Sequence, residues 1–282
     1  MEAVKQWWTT SRGNKLFAWH MLPVSQPKAV ILLVHGHGEH SWRYMHWAKQ
    51  FSYNGYAFFS WDHFGHGMSD GQPGHIRHYE QLLLEVDLAI TKIKEQFPNL
   101  PIILYGHSMG GNIAINYTIR RDSNIKLLIA TSPWIELATP APKYMEVLAK
   151  MMNVVLPFYP FKSPITPEQI THVDEEVRKY ATDPLIHGRI TPRLYTAITD
   201  AGKYALKNSN RIKIPSLLMH GSADTVTSAS ATNKVASSIP NATYVEWPDL
   251  YHEIHNEEVK SEVFNQIDRK STRLNSSHES PS

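Results

Sequence analysis

Six short apolar runs recur along the chain, each bounded by proline, glycine, asparagine or aspartate. Most of them are nearly continuous in apolar residues instead of alternating, a pattern typical of strands that helices cover on both faces. We therefore predict that these runs are the strands of a central sheet. They are AVILLVH (29–35), YAFFSWD (56–62), PIILYGHS (101–108), IKLLIATS (125–132), IPSLLMHG (214–221) and ATYVEWP (242–248).

Helical patterns lie between these runs, and the clearest extends from His78 to Phe97 before Pro98 ends it. The spacing of its apolar positions places them on one helix face: Leu82, Val86, Ala89, Ile93 and Phe97. Alternation of strands and helices predicts an α/β fold. We expect a mostly parallel sheet with right-handed crossovers and helices on both faces.

Two regions depart from this alternation. At the N-terminus, VKQWWTT and KLFAWHML flank the turn-forming SRGN, which predicts an antiparallel hairpin at the sheet edge. Residues 134–207 contain no strand-like run; they are rich in proline and methionine, mainly helical in pattern, and too long for an ordinary connection. We predict an inserted cap over the carboxyl ends of the strands, where open α/β sheets place their ligands. The core then comprises residues 1–133 and 208–267.

The last residues, 268–282, are predicted to lie outside the fold. The segment DRKSTRLNSSH (268–278) resembles the translation of a common sequencing-library adaptor, and the ESPS after it shows no apolar periodicity. An ordinary disordered tail would have the same structural consequence. On either interpretation we expect the folded chain to end near Ile267.

Composition excludes several classes of function. The net charge is +2 and no run concentrates it, which argues against a nucleic-acid partner. Because the chain has no cysteine, disulfides, thiol nucleophiles and cysteine-based zinc sites are all excluded. The opening MEAVKQWWTT lacks an apolar signal segment, and no apolar run reaches the roughly 18 residues of a membrane span, so we expect a cytoplasmic protein.

The strongest chemical motif is GHSMG at residues 106–110, which follows a predicted strand and opens a predicted helix. In that context a G-x-S-x-G sequence indicates a nucleophile elbow. Gly106 and Gly110 allow the tight, strained turn, and Ser108 then stands at a helix N-terminus that favours developing negative charge. A serine that only capped a helix would need no paired glycines.

A serine nucleophile needs a general base and an orienting carboxylate, in the chain order Ser, Asp or Glu, His. Asp224 in HGSADTVTS and His252 in WPDLYHEIHNE occupy loops after predicted strands and supply both groups. Two rivals lie nearby: Asp249 in a different loop from Asp224, and His255 one turn into the expected final helix. We interpret both as solvated or capping residues, so the predicted triad is Ser108, Asp224 and His252.

Acyl transfer also requires hydrogen-bond donors for the tetrahedral oxyanion. HGHG at residues 35–38 follows the first long strand, and the backbone N–H of His37 would pair with that of Met109, the residue after the nucleophile. Only backbone atoms are needed, so the imidazole of His37 receives no role. It is expected to lie in the pocket wall.

Taken together, VHGHGEHSWRY, WDHFGHGMSDGQPGHI, GHSMGG, HGSADTVTS and HEIHNE resemble the monoacylglycerol lipase and lysophospholipase branch (serine aminopeptidase S33-like) of the α/β-hydrolases, over nearly all of residues 1–267. This resemblance implies an α/β-hydrolase fold and hydrolysis of carboxylic esters in single-acyl-chain lipids, with monoacylglycerol the first choice and no metal or organic cofactor. A lysophospholipase, a general carboxylesterase and an acyltransferase stay open on the same triad. His37 departs from the branch, in which relatives often carry a small residue.

The histidine-rich segments allow a different class of enzyme. HGHGEH at residues 35–40 has nearly the spacing of binuclear metallohydrolases, in which His35, His37 and His40 would hold zinc. That hypothesis leaves the complete Ser, Asp, His order unexplained, so we disfavour it. The resemblance assigns Asp62, His63 and His66 to a structural loop beside the pocket.

The predicted cap suggests a path for the acyl chain. KYMEVLAKMMNVVLPFYPF (143–161) places Met145, Leu148, Met152 and Val155 on one helical stripe. These side chains either pack as core or line an acyl channel, for which flexible thioethers are suited. The aromatic residues of PFYPF could contact a membrane or micelle surface transiently. The expected partner is a small lipid ester.

Overall fold

The computed structural model describes residues 1–121 and 124–276, and all six predicted apolar runs form strands in it. The strands are β1 Ala3–Thr9, β2 Lys15–Met21, β3 Ala29–Val34, β4 Tyr56–Trp61, β5 Ile102–His107, β6 Ile125–Thr131, β7 Phe161–Lys162, β8 Arg189–Ile190, β9 Ser216–Gly221 and β10 Ala242–Trp247. Strands β3, β4, β5 and β9 are buried at every position, as expected when helices cover both faces of a sheet.

Eight of these strands form one sheet in the order β1-β2-β4-β3-β5-β6-β9-β10. The N-terminal hairpin is confirmed: β1 and β2 pair in antiparallel fashion at the edge, and β2 pairs with β4 in the same way. Further along this sheet, the pairings from β4 through β3, β5, β6 and β9 to β10 are all parallel. The carboxyl ends of those strands therefore meet along one edge of the sheet, where the loops that follow β3, β5, β9 and β10 come together.

Eight α-helices accompany the strands in the described part of the chain, and two apolar cores lie on opposite faces of the sheet. The helices are α1 Met45–Tyr53, α2 Glu80–Gln96, α3 Met109–Arg120, α4 Lys143–Val155, α5 Asp174–Thr182, α6 Pro192–Asn208, α7 Ala229–Ser238 and α8 Lys260–Ser276. One core is built on α2, α3, α6 and α7, and the other on α1 and α8. Each helix within residues 1–121 and 124–276 is too short or too polar to cross a membrane.

The predicted inserted segment, 134–207, contains α4, α5 and α6, with the two-residue strands β7 and β8 paired to each other. Helix α6 departs from the expected cap, because Leu194, Ile198 and Ala205 pack in the same core as α3. Helix α4 has no buried residue, and the element that it mainly packs against is α6. The part that stands away from the sheet is therefore shorter than the prediction. The strands β7 and β8 are too short to give a recognisable sequence pattern.

The C-terminal boundary also differs from the prediction. Helix α8 continues past Ile267 to Ser276, so the expected end of the fold near Ile267 is wrong. Asp268 accepts a hydrogen bond from the Tyr56 hydroxyl at 2.9 Å, and the buried Ser271 donates to the Ile267 carbonyl at 2.9 Å. The polar composition of residues 268–276 did not indicate this part of the helix, because few apolar side chains are needed at the end of a helix. Residues 277–282 of the predicted tail lie outside the described residues.

Candidate active site

Ser108 lies on a sharp turn between β5 and α3. Its φ is +52°, in the left-handed region that side-chain-bearing residues rarely adopt, so the backbone here is strained. A Cβ atom at Gly106 would collide with the Gly110 carbonyl, and one at Gly110 would collide with the Val34 carbonyl. These close approaches explain both glycines of the motif, and they fix the serine at the sheet edge.

The three predicted triad residues come together at that edge. The His252 Nε2 atom is 2.9 Å from the Ser108 Oγ atom, and the His252 Nδ1 atom is 2.7 Å from the Asp224 Oδ2 atom. Asp224 and His252 reach this position from the loops after β9 and β10, the carboxyl ends of neighbouring parallel strands. An aligned hydroxyl, imidazole and carboxylate can transfer the serine proton to the ring and hold the resulting charge.

Hydrogen bonds hold the Asp224 carboxylate in one orientation. Its Oδ1 atom accepts from the backbone N–H groups of Val226 (2.7 Å) and Thr227 (3.0 Å), while Oδ2 accepts from His252 and contacts the His220 Nε2 atom at 2.9 Å. Burial alone would raise the pKa of Asp224, but His252 and His220 outweigh it and hold that pKa well below its usual range. The carboxylate is therefore ionised at neutral pH.

His252 is buried, which by itself would lower its pKa. The charge and hydrogen bond of Asp224 outweigh burial, so the pKa of His252 lies above its ordinary value. A general base must be neutral to accept a proton. Activity that depends on this imidazole is therefore lost on acidification at a higher pH than an unperturbed histidine would give.

The loop after β3 carries the predicted oxyanion donor His37. The His63 backbone N–H donates to His35 Nε2 at 3.0 Å, so the proton of the neutral His35 ring is assigned to Nδ1, which donates to the Gly36 carbonyl at 2.8 Å. The Gly36 carbonyl and the His37 N–H belong to the same trans peptide unit, in which the two groups point in opposite directions. The His37 N–H therefore points away from the His35 ring. Met109 is the first residue of α3, so its N–H group has no acceptor within the helix.

A buried ion network supports this loop, and sequence reasoning gave its members no role. Arg43 Nη1 lies 2.6 Å from Glu39 Oε2 and 2.5 Å from Glu253 Oε1. Glu39 also accepts from the Gly36 N–H at 2.6 Å and from the Tyr44 hydroxyl at 2.7 Å. Arg43 thus ties the oxyanion loop to the residue beside His252. Glu39 and Arg43 stand four residues apart in EHSWR, and this spacing was the available signal.

The pocket at Ser108 is small, about 30 Å³, and both apolar and polar side chains line it. Trp134 and aliphatic side chains form the apolar part of the lining, and acidic, histidine and tyrosine side chains belong to the polar part. The apolar residues are Trp134, Leu137, Ile165, Ile170 and Val226; the polar ones include Glu39, His107, Tyr180 and Glu253. His37 also lines the pocket, and its burial lowers the pKa of the ring to about 3, so the imidazole is neutral.

The two rivals of the triad have different outcomes. Asp249 is exposed, in agreement with its interpretation as a solvated residue. The interpretation of His255 is wrong: it lies in the 3-10 helix Ile254–Asn256 ahead of α8, is 1% exposed, and its ring stacks on Tyr44 with centroids 4.9 Å apart. Burial lowers the pKa of His255 to about 3, so it is an uncharged packing residue.

The histidines of the metallohydrolase hypothesis have separate partners. His35 bonds to the backbone of Gly36 and His63, whereas His40 Nε2 lies 2.9 Å from Asp183 Oδ2. Throughout residues 1–121 and 124–276, no group of three or more histidine, aspartate or glutamate side chains is arranged to hold a metal ion. The Asp62 carboxylate accepts from Ser41 and from the Met68 backbone N–H, as a loop-stabilising residue would.

The proposed acyl-channel residues lie apart from this pocket. Met145, Leu148 and Val155 are exposed on α4, Met152 is half-buried, and none of the four lines the cavity at Ser108. Packing in the core, the alternative interpretation of this stripe, is wrong because α4 buries no residue. Contact with an acyl chain stays a prediction for these residues.

A parallel sheet with a serine elbow, and with an acid and a histidine in the later loops, defines the class of α/β-hydrolases with a serine nucleophile. Residues 25–259 match the family described as serine aminopeptidase, S33 (Hydrolase_4), and the chain belongs to that family. It is a serine ester hydrolase.

Three similar proteins illustrate the range of the match. The human protein named monoglyceride lipase is 31% identical over 90% of this chain and 86% of its own length. The crystal structure of Paleococcus ferrophilus monoacylglycerol lipase has a TM-score of 0.83 and 29% identity, covering 93% of this chain and 98% of that one. An abhydrolase domain-containing protein of Dictyostelium discoideum is 29% identical over 92% of this chain, which spans only 28% of that protein.

Proposed function

We propose that this protein hydrolyses monoacylglycerols to glycerol and a fatty acid through an acyl-enzyme on Ser108. Two kinds of evidence support the proposal. The aligned Ser108, His252 and Asp224 side chains suit acyl transfer, and proteins named as lipases of monoacylglycerol are similar to the chain over most of its length. The observation that carries the substrate class is the mixed apolar and polar lining of the pocket at Ser108.

The proposed reaction follows from these contacts. Ser108 Oγ attacks the ester carbonyl carbon while His252 Nε2 takes its proton, and the His37 and Met109 N–H groups bind the oxyanion. The tetrahedral intermediate then collapses, the bond to glycerol breaks, and His252 returns its proton to the leaving oxygen. Water repeats the sequence on the acyl-enzyme, which releases the fatty acid and restores Ser108.

The polar part of the lining favours a neutral head group over a phosphate. Glu39 and Glu253 place two carboxylates around the single Arg43 guanidinium, so their formal charges sum to −1. A phosphate ester would meet net negative charge and find Arg43 already paired on both sides. Glycerol hydroxyls can instead donate to carboxylates and exchange hydrogen bonds with Tyr180 and His107. A monoacylglycerol therefore suits these polar lining residues better than a lysophospholipid does.

The volume of the pocket requires a movement before a long chain can enter. A volume of about 30 Å³ is far less than the roughly 300 Å³ or more of a typical small-molecule pocket. Ile165, Ile170 and Tyr180 of the inserted segment line it. We infer that this segment shifts away from Ser108 during the catalytic cycle, as lids do in many enzymes.

The substrate is tested by comparing head groups on one acyl chain. We expect kcat/KM for 1-decanoylglycerol to exceed that for decanoyl lysophosphatidylcholine by about tenfold or more, since a tenfold ratio needs only about 1.4 kcal/mol. Initial rates of decanoate release measure both. A leucine p-nitroanilide serves as the aminopeptidase control, and we expect no turnover of it. Faster hydrolysis of the lysophospholipid would replace this proposal with a lysophospholipase.

The exposed apolar surface of α4 and the segment after it supports a contact with a lipid surface. Soluble monomers rarely expose large contiguous apolar patches, whereas membrane-contact sites do so. Tyr144 is 72% and Val154 80% exposed, and they belong to a group that we name the α4 patch. Its members are Tyr144, Met145, Val147, Leu148, Met151, Val154, Val155, Leu156, Phe158, Tyr159 and Phe161. We propose that this patch contacts substrate-bearing membranes or micelles transiently.

Vesicle flotation of the Ser108→Ala protein tests the α4 patch without consuming lipid. We expect the protein to co-float with phosphatidylcholine and phosphatidylglycerol vesicles, and Val154→Asp to remove most of the floated fraction, because a charge opposes burial of the patch. Val24→Asp is the matched control, since Val24 is 95% exposed but lies between β2 and β3. Equal losses from both variants, or no flotation at all, would rule out the contact.

A further inference from the structure

A second cavity lies away from Ser108, between the turn of the N-terminal hairpin and helix α2. Its volume is about 220 Å³, several times that of the catalytic pocket. Residues of the turn form one side, and residues at and beyond the start of α2 form the other. They are Thr10, Ser11, Arg12, Asn14, Arg77, His78, Gln81, Leu84, Glu85 and Leu88. Nothing in the proposed reaction uses this cavity.

Two arginines that line this cavity have no acidic partner in the described part of the chain. Within the described part of the chain, the Arg12 and Arg77 side chains take part in no hydrogen bond and no ion pair. The acid on the wall, Glu85, is buried and already accepts from His63 Nδ1 (2.8 Å) and Trp61 Nε1 (3.2 Å). The cavity therefore presents cationic groups that an anion could bind.

The cavity changes in polarity along α2. Arg77 and His78 precede the first helical residue, Glu80, so the cationic end coincides with the positive end of the helix dipole. Leu84 and Leu88 are four residues apart and share a face further along the helix. Leu84 is 47% exposed, and Leu88 is half-buried. One end suits an anion and the other suits a hydrocarbon chain.

We propose that this cavity binds the carboxylate of a fatty acid, with the head group between Arg12 and Arg77 and the chain along Leu84 and Leu88. Arginine forms charge-assisted, two-pronged hydrogen bonds to carboxylates. The choice of a fatty acid rests on the proposed function, which makes it the product of the reaction. Glu85 keeps the head group at the arginine end, because its own charge repels a second carboxylate.

Calorimetric titration of decanoate tests this site in protein whose Ser108 is blocked by a long-chain alkyl fluorophosphonate. Blocking fills the catalytic pocket, so binding there does not contribute. We expect one equivalent of decanoate to bind, with Arg12→Ala and Arg77→Ala each raising Kd by about tenfold. Leu84→Asp should also weaken binding by introducing an acid into the chain's path. Lys234→Ala removes an exposed cation on α7, away from the cavity, and should leave Kd unchanged.

Three outcomes would overturn the site: no binding to the blocked protein, equal Kd values for both arginine variants and the parent, or equal binding of decanol, which lacks the carboxylate. Thermal unfolding of each variant shows whether the fold is kept. Failure of the proposed function has a separate readout. A protein that did not hydrolyse 1-decanoylglycerol would refute the monoacylglycerol assignment, while the decanoate titration would still show whether the cavity binds a fatty acid.

Discussion

Replacing Ser108 with alanine is expected to lower kcat for ester hydrolysis by about 10⁴-fold or more. The change removes the only atom of the triad that bonds to the acyl group, and His252 then has no hydroxyl from which to take a proton. A small residual rate should survive, because the oxyanion donors and the pocket are unaltered. Initial rates on 1-decanoylglycerol and on p-nitrophenyl decanoate measure the loss.

Folding should change little in this variant. Alanine keeps a Cβ atom at the strained position, and the lost hydrogen bond runs only to His252. Circular dichroism and thermal unfolding check the fold, and a fluorophosphonate probe should label the parent protein once and the variant not at all. Ser237→Ala is the matched control, since this exposed serine lies on α7 and its hydroxyl donates to Asn233 Oδ1. If the Ser108→Ala protein kept half of its activity, another nucleophile would have to be sought.

The elements that position the site were predictable because each rests on a local rule. Continuous apolar runs can be buried on both faces only in a covered sheet, and β3, β5 and β9 are buried throughout. The elbow at Ser108 needs glycine on both sides for steric reasons that hold in any such turn. Chain order and loop position then selected Asp224 and His252. In the structure, His252 lies within hydrogen-bonding distance of both Asp224 and Ser108.

The errors arose where tertiary contacts decide the outcome. An amphipathic stripe cannot reveal whether its apolar face meets protein or solvent, and α4 leaves that face exposed while α6 buries its own against α3. Histidine is a polar residue type that is common at the surface, but the ring of His255 is covered by Tyr44, from the turn before α1, and by Trp47, from α1 itself. The Arg43 network joins residues more than two hundred positions apart, which no local pattern encodes.

Exchanging Asp224 for asparagine is expected to lower kcat by about 10⁴-fold at neutral pH through the tautomer of His252. The Val226 and Thr227 N–H groups donate to Oδ1, so the asparagine oxygen must occupy that side. Its NH₂ group then faces His252 Nδ1, which has to act as an acceptor. The ring proton moves to Nε2, where it points at Ser108 Oγ and blocks removal of the serine proton.

A pH profile separates this mechanism from simple unfolding. Asp224 is what raises the pKa of His252 against the opposing effect of burial, so the variant's residual activity should fall on acidification at a lower pH than that of the parent. Asp249→Asn removes an equal charge three residues from His252, and asparagine tolerates the φ of +58° found there, so it should retain full activity and an unshifted profile. An active Asp224→Asn protein beside an inactive Asp249→Asn protein would transfer the orienting role to Asp249. Equal thermal unfolding of the two variants would assign the difference in rate to the ring proton of His252, because the overall fold and the charge removed are then the same.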